Sequence, residues 1–301
     1  MSKAIVTGGA GFIGSNLVDL LIEKGFQVVV IDNLETGKKE NINPQAKFIK
    51  EDIVNFEKIK PLFEGVDYVF HLAALPRIQP SFSDPLYHEK ANVIGTINCL
   101  LACKGKNIKK FVFSASSACY GNPKELPTTE KAEIDCLCPY ALQKYAAEQY
   151  CLILGKRYNI PVNSLRYFNV YGPRSFNEKN PFNAYSSVIG IFENQKKKGQ
   201  KLTITGDGEQ SRDFIHVGDV ALANLLAAQS DLLYGLYNVG FGKPYTINQI
   251  AKMYNTEYIY IPERKGEARI THANIEKIKK ELGWKPVISI EDYVRRENKN
   301  N

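Results

Sequence analysis

A glycine-rich segment near the N-terminus constrains the fold more than any other feature of the chain. It runs from Thr7 to Gly14, follows a short apolar run at 3–7, and precedes a stretch in which apolar residues recur with helical spacing. A second apolar run at 27–31 completes a strand–helix–strand unit of about 30 residues. Glycines in this context permit a tight turn and let the backbone approach a diphosphate at the helix N-terminus. We therefore predict a dinucleotide-binding turn, with an ordinary strand-to-helix turn as the alternative.

Short apolar runs continue to alternate with helical patterns through the first half of the chain. These further runs lie at 47–49, 68–72, 110–113 and 162–166. Nearly continuous apolar strands are typical of a parallel sheet that is covered on both faces. The predicted fold class is α/β, a doubly wound parallel sheet (Rossmann) with a smaller C-terminal substrate-binding lobe. We assign 1–167 to the dinucleotide-binding domain, expect segments around 211–242 to return to it, and assign 168–301 mainly to the lobe.

Composition and charge argue against several classes of protein. The chain has 301 residues, and its hydrophobic fraction of 44% and charged fraction of 24% are ordinary globular values. No apolar run reaches the roughly 18 residues of a membrane helix, and the first is too short for a signal peptide, so we expect a cytoplasmic protein without a membrane partner. The net charge of +7 is spread over runs without interleaved aromatic residues, which predicts no nucleic-acid partner. Six cysteines lack the paired spacing of a zinc site, and we predict no metal site.

An aspartate bears on the choice of dinucleotide. Asp32 ends the second predicted strand, 18 residues after Gly14. A carboxylate at this point can accept hydrogen bonds from both ribose hydroxyls and repels a 2′-phosphate, which favours NAD over NADP. Lys38 and Lys39 lie close by in the sequence and keep NADP open as an alternative.

A tyrosine and a lysine form the second informative pair. Tyr140 and Lys144 follow Pro139, a residue that suits the first position of a helix. Four residues apart on a helix, the two side chains share one face. An ammonium group beside a phenol favours the phenolate, which a tyrosine needs to act as a base near neutral pH. The alternative is a tyrosine that merely packs beside a surface lysine.

Serines follow the apolar run at 110–113, at a strand end where ligands meet parallel sheets. Ser116 is our candidate for holding a substrate oxygen. Ser114 and Ser117 are alternatives that the residues alone leave open.

Together these motifs resemble the extended short-chain dehydrogenase/reductase family, specifically its nucleotide-sugar epimerase branch. The resemblance rests on the glycine segment, His71–Ala74, the serine-rich strand end, Tyr140-x-x-x-Lys144, Leu165–Asn169, Arg212–Val217 and Leu282–Pro286. It implies that Ser116, Tyr140 and Lys144 are catalytic and that NAD is the cofactor. The predicted cofactor-binding residues are Gly8, Gly11, Phe12, Ile13, Gly14, Asp32, Asn33, Asp52, Ile53, Leu72, Ala73, Ala74, Asn92, Tyr140, Lys144 and Tyr167.

The resemblance also implies a substrate and a reaction. The substrate would be a UDP-sugar, and its predicted binding residues are Ser116, Asn169, Arg212, Arg264, Glu267 and Thr271. The implied reaction is C4 epimerisation of a UDP-hexose through a transient 4-keto intermediate, which makes the protein an isomerase. Tyr140 would take the proton of the 4-hydroxyl while NAD accepts the hydride.

Two positions refine this expectation within the branch. Ala118 stands where dehydratases and UDP-glucuronate decarboxylases usually carry a glutamate, which favours simple epimerisation. Thr271 stands where a small residue tends to accompany 2-acetamido sugars, so UDP-GlcNAc/UDP-GalNAc is favoured, alongside UDP-Glc/UDP-Gal. The alternatives are a UDP-glucuronate 4-epimerase, a 4,6-dehydratase and a non-catalytic NAD-sensing protein. The family also implies a homodimer formed by helices near 92–104 and 140–156.

Overall fold

A seven-stranded parallel sheet forms the centre of the structure. The computed structural model describes residues 1–76, 78–176, 187–264 and 266–300. The described strands are β1 Lys3–Thr7, β2 Gln27–Asp32, β3 Lys47–Lys50, β4 Tyr68–His71, β5 Lys110–Ser116, β6 Val162–Tyr167, β7 Asn169–Tyr171, β8 Leu202–Thr205, β9 Ser211–His216, β10 Tyr234–Val239, β11 Pro244–Thr246 and β12 Tyr258–Ile261. The sheet order is β10-β6-β5-β4-β1-β2-β3, and each neighbouring pair is parallel.

Helices cover both faces of this sheet. The described α-helices are α1 Phe12–Glu23, α2 Phe56–Ile59, α3 Ile78–Ser83, α4 Pro85–Glu89, α5 Gly95–Cys103, α6 Pro139–Tyr158, α7 Val188–Lys197, α8 Val217–Gln229, α9 Ile247–Met253, α10 Glu276–Leu282 and α11 Ile290–Asn300. Successive strand residues point to opposite faces, so Ala4 and Val6 join one core with α1 and α8, while Ile5 joins another with α5 and α6. The predicted α/β, doubly wound fold is confirmed.

The strand order determines where a ligand can enter. Strand β1 lies between β2 and β4. Strands β2 and β3 extend the sheet on one side of β1, and β4, β5, β6 and β10 extend it on the other side. At such a switch point the loops that follow neighbouring strands diverge and open a crevice at the carboxyl ends of the strands. The loops after β1 and β4 border this crevice. The glycine turn and residues 72–76 therefore face each other.

A smaller lobe stands beside the sheet. It contains the three-stranded sheet β11-β9-β7 and the strand pair β12-β8. Its separate core includes Tyr171, Phe192, Ile204, Tyr254 and Val294. Helix α8 and strand β10 lie with the seven-stranded sheet, whereas β9 pairs with β7 and β11 in the lobe. The domain limits 1–167 and 168–301 stay predictions.

A buried ion pair fixes helix α6 against the sheet. Arg166 of β6 donates to both carboxylate oxygens of Glu148, at 2.9 Å from Nε and 2.5 Å from Nη2. Both side chains are at most 3% exposed, and the guanidinium also lies 4.8 Å from the centre of the Tyr120 ring. Removing one partner of such a pair would leave an uncompensated buried charge. The pair therefore ties the helix that carries Tyr140 and Lys144 to the strand beside β5.

A buried carboxylate joins the C-terminal segment to α8. Asp219 Oδ2 accepts hydrogen bonds from the backbone amides of Val287 and Ile288, at 3.1 and 3.0 Å. The indole of Trp284 donates to the backbone oxygen of Asp219 at 2.9 Å. These bonds hold the segment that precedes α11 against α8. Among the described residues, no helix combines the length and apolar character needed to cross a membrane.

Candidate active site

One large cavity of about 990 Å³ opens where the sheet meets the lobe. It is lined from both sides, by the glycine turn and strand ends of the sheet and by side chains of the lobe. The predicted site residues that line it are Gly8, Gly11, Phe12, Ile13, Gly14, Asp32, Asn33, Asp52, Ile53, Leu72, Ala73, Ala74, Ser116, Tyr140, Lys144, Tyr167, Asn169, Arg212, Arg264, Glu267 and Thr271. Asn92 alone among the predicted site residues does not line the cavity.

The glycine turn has no room for side chains at two positions. Gly8 has φ +71°, and a Cβ there would lie 2.6 Å from the backbone nitrogen of Ala73. A Cβ on Gly14 would lie 2.1 Å from the carbonyl oxygen of Gly8. Helix α1 starts immediately after Gly11, which contributes no side-chain cap. The first amides of the helix are therefore available to an anion, and the turn fits a dinucleotide diphosphate.

The carboxylate of Asp32 is held at the end of β2. Its Oδ2 accepts from the Ala10 amide at 3.0 Å and its Oδ1 from the Leu34 amide at 2.8 Å. Burial raises the pKa of Asp32, and these two hydrogen bonds oppose the rise. A carboxylate has further lone pairs that ribose hydroxyls can use. Nearby, Asn33 Nδ2 donates to Asp52 Oδ2 at 3.0 Å, which joins the ends of β2 and β3.

Lys144 is buried on the helix face that also carries Tyr140. It is 3% exposed, and its Nζ lies 4.4 Å from the centre of the Phe113 ring. Burial lowers the pKa of Lys144 to about 8. The ammonium is therefore still charged near neutral pH, and a cation lowers the pKa of a nearby phenol. The backbone amide of Tyr140 donates to Ser81 Oγ at 3.1 Å, which holds the start of α6.

Ser116 ends β5, in register with Tyr167 of β6. Its Oγ accepts from the Ala118 amide at 3.2 Å. Ser114 and Ser117 line the same cavity, so cavity lining does not separate the three serines. All three lie at the carboxyl ends of the strands, as the sequence predicted for this segment.

Arg212 supplies a buried positive charge on the lobe side. It is 9% exposed, and burial lowers the pKa of its guanidinium. Nη1 donates to the backbone oxygens of Ser211 and Arg269, at 3.0 and 3.2 Å. Nη2 lies 3.5 Å from Glu267 Oε2. These contacts orient the guanidinium, and such a fork suits a phosphate group.

The hydroxyl of Thr271 is part of a hydrogen-bonded chain. It donates to Asn169 Oδ1 at 3.2 Å and accepts from the Asp213 amide at 3.1 Å. The carboxylate of Asp213 is fully buried and accepts from three backbone amides, those of Phe241, Gly242 and Ala273, at 2.6 to 3.0 Å. In the sequence, Asp213 is marked only as part of the motif Arg212–Val217. Its role is to fix the strand that presents Arg212.

Several polar residues of the lobe line the cavity without having been predicted. They are Ser187, Asn194, Gln195, Gln200, Thr203, Thr205 and Gln210. Polar side chains on a short helix, a short strand and the loops beside them look like ordinary surface residues in a single sequence. Nothing in their spacing marks them as part of a cavity.

Asn92, predicted to bind the cofactor, lies behind the cavity wall instead. It is 1% exposed, and its amide is engaged at both ends. Oδ1 accepts from the Leu75 amide at 2.8 Å, while Nδ2 donates to Leu75 O and to Gln143 Oε1 at 3.1 and 3.0 Å. The side chain is turned towards the packed interior because α6 closes over it. Its contacts make it a support for residues 72–76.

His71, part of the motif His71–Ala74, is structural. Its ring is fully buried between the hydroxyls of Thr7 and Thr96, with N···O distances of 2.7 and 2.9 Å. Burial lowers the pKa of His71 to about 3, so the ring is neutral at ordinary pH. It joins β1 and β4 to α5.

Among the described residues, no group of three or more His, Cys, Asp and Glu side chains is arranged to hold a metal ion.

Comparison with known proteins places the chain in a family. The model of the NAD dependent epimerase/dehydratase family matches residues 4–240. The chain is 41% identical to a putative UDP-glucose 4-epimerase of Methanocaldococcus jannaschii, over 97% of this chain and 96% of that protein. The chain therefore belongs to the NAD dependent epimerase/dehydratase family. Membership confirms the predicted resemblance and the predicted cofactor, NAD.

Two solved structures are similar over almost the whole chain. UDP-glucose 4-epimerase from Thermotoga maritima, solved with UDP-glucose, has a TM-score of 0.92 and 37% identity and covers 99% of this chain and 97% of its own. UDP-N-acetylglucosamine 4-epimerase from Methanobrevibacter ruminantium, solved with UDP-N-acetylmuramic acid, has a TM-score of 0.92 and 38% identity, with the same coverage. Both share the Rossmann-type architecture of the present chain.

Replacing Lys144 by methionine should stabilise the cofactor-free protein near neutral pH. Below pH about 8 the folded protein holds Lys144 as a buried ammonium, which lowers the free energy of unfolding. This destabilisation decreases as the pH rises from about 8 towards the ordinary lysine pKa of about 10.4. We expect Lys144→Met to raise the free energy of unfolding of the cofactor-free protein at pH 7 by on the order of 2 kcal/mol. The gain should shrink by pH about 10. Denaturant unfolding at both pH values measures it.

The matched control is Lys156→Met, on the exposed face of the same helix. It should change neither stability nor its pH dependence appreciably. Equal effects of the two substitutions at pH 7 would show that the burial of Lys144 carries no such penalty.

Proposed function

We propose that this chain catalyses the NAD-dependent C4 epimerisation of a UDP-hexose through a transient 4-keto intermediate. The observation that carries the proposal is a single cavity that brings together a dinucleotide-binding turn, the Tyr140–Lys144 pair and the buried guanidinium of Arg212. The similarity to two UDP-sugar 4-epimerases over nearly the whole chain supports it. The preferred pair is UDP-GlcNAc/UDP-GalNAc, with UDP-Glc/UDP-Gal also accepted.

The proposed chemistry divides between the two sides of the cavity. When bound, NAD supplies a hydride acceptor that becomes the donor in the return step. Tyr140 takes the proton of the sugar 4-hydroxyl, and Lys144 stabilises the phenolate that this requires. Ser116 holds the same sugar oxygen. On the lobe side, Arg212 and Asn169 hold the diphosphate, so the keto sugar can turn over and present its other face without leaving.

The residues after Ser116 favour epimerisation over elimination. Ala118 lines the cavity, and the position before it is Ser117, so neither supplies a carboxyl group. An elimination at the sugar needs an additional acid or base, whereas inversion of configuration at C4 needs no acid or base beyond the tyrosine. A UDP-glucuronate 4-epimerase stays the main alternative within this chemistry. A 4,6-dehydratase and a non-catalytic NAD-sensing protein are further alternatives.

Incubation of the purified protein with UDP-GlcNAc or UDP-Glc, without added cofactor, tests the reaction. Chromatography should detect UDP-GalNAc and UDP-Gal, respectively. Tyr140→Phe should lower the rate by about 10²- to 10⁴-fold because it removes the base, while UDP binding is unchanged. Tyr145→Phe, on the same helix and outside the cavity, should keep the activity. Normal turnover by Tyr140→Phe would overturn the mechanism, and product from neither sugar, even with added NAD, would overturn the proposed substrates.

Thr271 supports the acceptance of N-acetylated sugars. It lines the cavity beside Asn169 and Arg212 with a small side chain. A bulkier residue would occupy space next to the sugar. Thr271 also donates to Asn169, so a test must separate the loss of space from the loss of this bond.

Thr271→Tyr should lower kcat/KM for UDP-GlcNAc relative to UDP-Glc by about tenfold or more, because an overfilled pocket rejects the larger sugar first. Thr271→Val keeps the size and removes the hydroxyl, and it should leave this ratio unchanged. Initial rates with both sugars give the ratio. An unchanged ratio in Thr271→Tyr would contradict the pocket argument.

We also propose that the protein is a homodimer formed through α5, α6 and neighbouring residues. Leu142 and Ile153 of α6 are 58% and 63% exposed, and Tyr150 and Ile94 are exposed as well. Large apolar side chains clustered on a helix face favour association.

The cytoplasmic location and the lack of a nucleic-acid partner stay predictions from the sequence.

Sedimentation velocity should show a dimer for the unmodified protein. The double substitution Leu142→Glu and Ile153→Glu should yield a monomer, because it puts charges into the proposed interface. Leu126→Glu, at an exposed apolar residue outside α5 and α6, should leave the dimer intact. A monomeric unmodified protein would contradict the proposed assembly.

A further inference from the structure

Two buried polar side chains, Asn92 and Gln143, connect helix α6 to the loop after β4, and a third, Ser81, holds the start of the helix. We define the cavity-wall loop as residues 72–76, which follow β4 and line the cavity. Asn92 binds both backbone groups of Leu75 in this loop. Gln143 of α6 accepts from Asn92, and Ser81 of α3 accepts from the backbone amide of Tyr140. The helix and the loop are thus linked through side chains that do not face the substrate.

Gln143 stands at the centre of this network. It is 4% exposed, precedes Lys144 and lies three residues after Tyr140. Its Oε1 accepts from Asn92 Nδ2 at 3.0 Å, and its Nε2 donates to the backbone oxygen of Pro85 at 2.9 Å. The amide of Gln143 therefore binds both Asn92, which supports the cavity-wall loop, and the start of α4.

The cavity-wall loop is held from its other end by the glycine turn. The Ala73 amide donates to Thr7 Oγ1 at 3.3 Å. The same nitrogen lies 2.6 Å from the position that a Cβ of Gly8 would take, so turn and loop pack without a gap. The loop thus joins two parts of the site. The turn fixes one end of the loop relative to the cofactor-binding side, and Gln143 fixes the other end relative to the catalytic pair.

We propose that Gln143 is a positioning residue, which sets the catalytic Tyr140–Lys144 pair in register with the cavity-wall loop and hence with the cofactor. The inference rests on the proposed function. A buried polar network whose members are all satisfied is rigid, and a break in it leaves buried groups without partners. Misplacement of reacting groups by about 1 Å can lower a rate by about 10²-fold. Gln143 touches neither substrate nor cofactor in this account.

Gln143→Met tests the proposal, because methionine keeps the length and loses both hydrogen bonds. We expect kcat to fall by about tenfold or more, while KM for the UDP-sugar changes by less than about twofold. Hydrogen exchange at the Leu75 amide, measured in the cofactor-free protein, should become faster. The control is Asn163→Leu, which removes another buried amide that donates to Ala227 O and Ser230 Oγ, away from the cavity. It should lower stability but leave kcat and the exchange at Leu75 unchanged.

Gln143→Glu tests whether kcat recovers when a protonated carboxyl replaces the amide, an effect that a purely structural role would not produce. A protonated carboxyl can accept from Asn92 and donate to Pro85 O as the amide does, whereas the carboxylate cannot donate. Burial raises the pKa of a glutamate, so kcat of this variant relative to the unmodified protein should rise as pH falls from about 8 to about 6.

The possible outcomes are distinct. If the unmodified protein makes no epimer, the proposed function and the positioning role fall together. If it turns over and Gln143→Met keeps its kcat, only the positioning role is overturned. A loss of kcat equal to that of Asn163→Leu, or a Gln143→Glu ratio that does not change with pH, would likewise overturn it.

Discussion

The close packing of the glycine turn against the loop after β4 is the contact on which the rest of the site depends. Gly8 approaches Ala73 so closely that a side chain cannot fit between them. This contact exists because β1 and β4 are neighbours at the point where the sheet order reverses. It places the glycine turn and the serine-rich end of β5 at the same edge of the sheet. The lobe supplies the other side of the cavity at that edge.

Charge is distributed unevenly across the cavity. Two buried cations, Lys144 and Arg212, face it from the sheet side and the lobe side, and the carboxylate of Asp32 stands at the cofactor end. Buried cations are costly unless something compensates them. Lys144 responds with a lowered pKa, whereas Arg212 is oriented by backbone oxygens and by Glu267. The proposed substrate, an anionic nucleotide sugar, would complete the compensation at Arg212.

The sequence predicted the fold class because its signals are local. A glycine turn between apolar runs and the repetition of such runs are enough to indicate a doubly wound sheet. The placement of Tyr140 and Lys144 on one helix face also follows from spacing alone. The sequence could not tell which way Asn92 turns, because that depends on α6 closing over it. Asp213 and Gln143 escaped notice for the same reason, since their partners lie far along the chain.

The proposed epimerisation returns to C4 the same hydrogen that leaves it. A UDP-sugar that carries deuterium at C4, incubated with the protein in unlabelled water, tests this return. Mass spectrometry and NMR of the separated epimer would locate the label. The epimer should keep its deuterium at C4, because NAD would hold the transferred hydride on carbon, where it does not exchange with water. Replacement of the label by hydrogen from the solvent would contradict it.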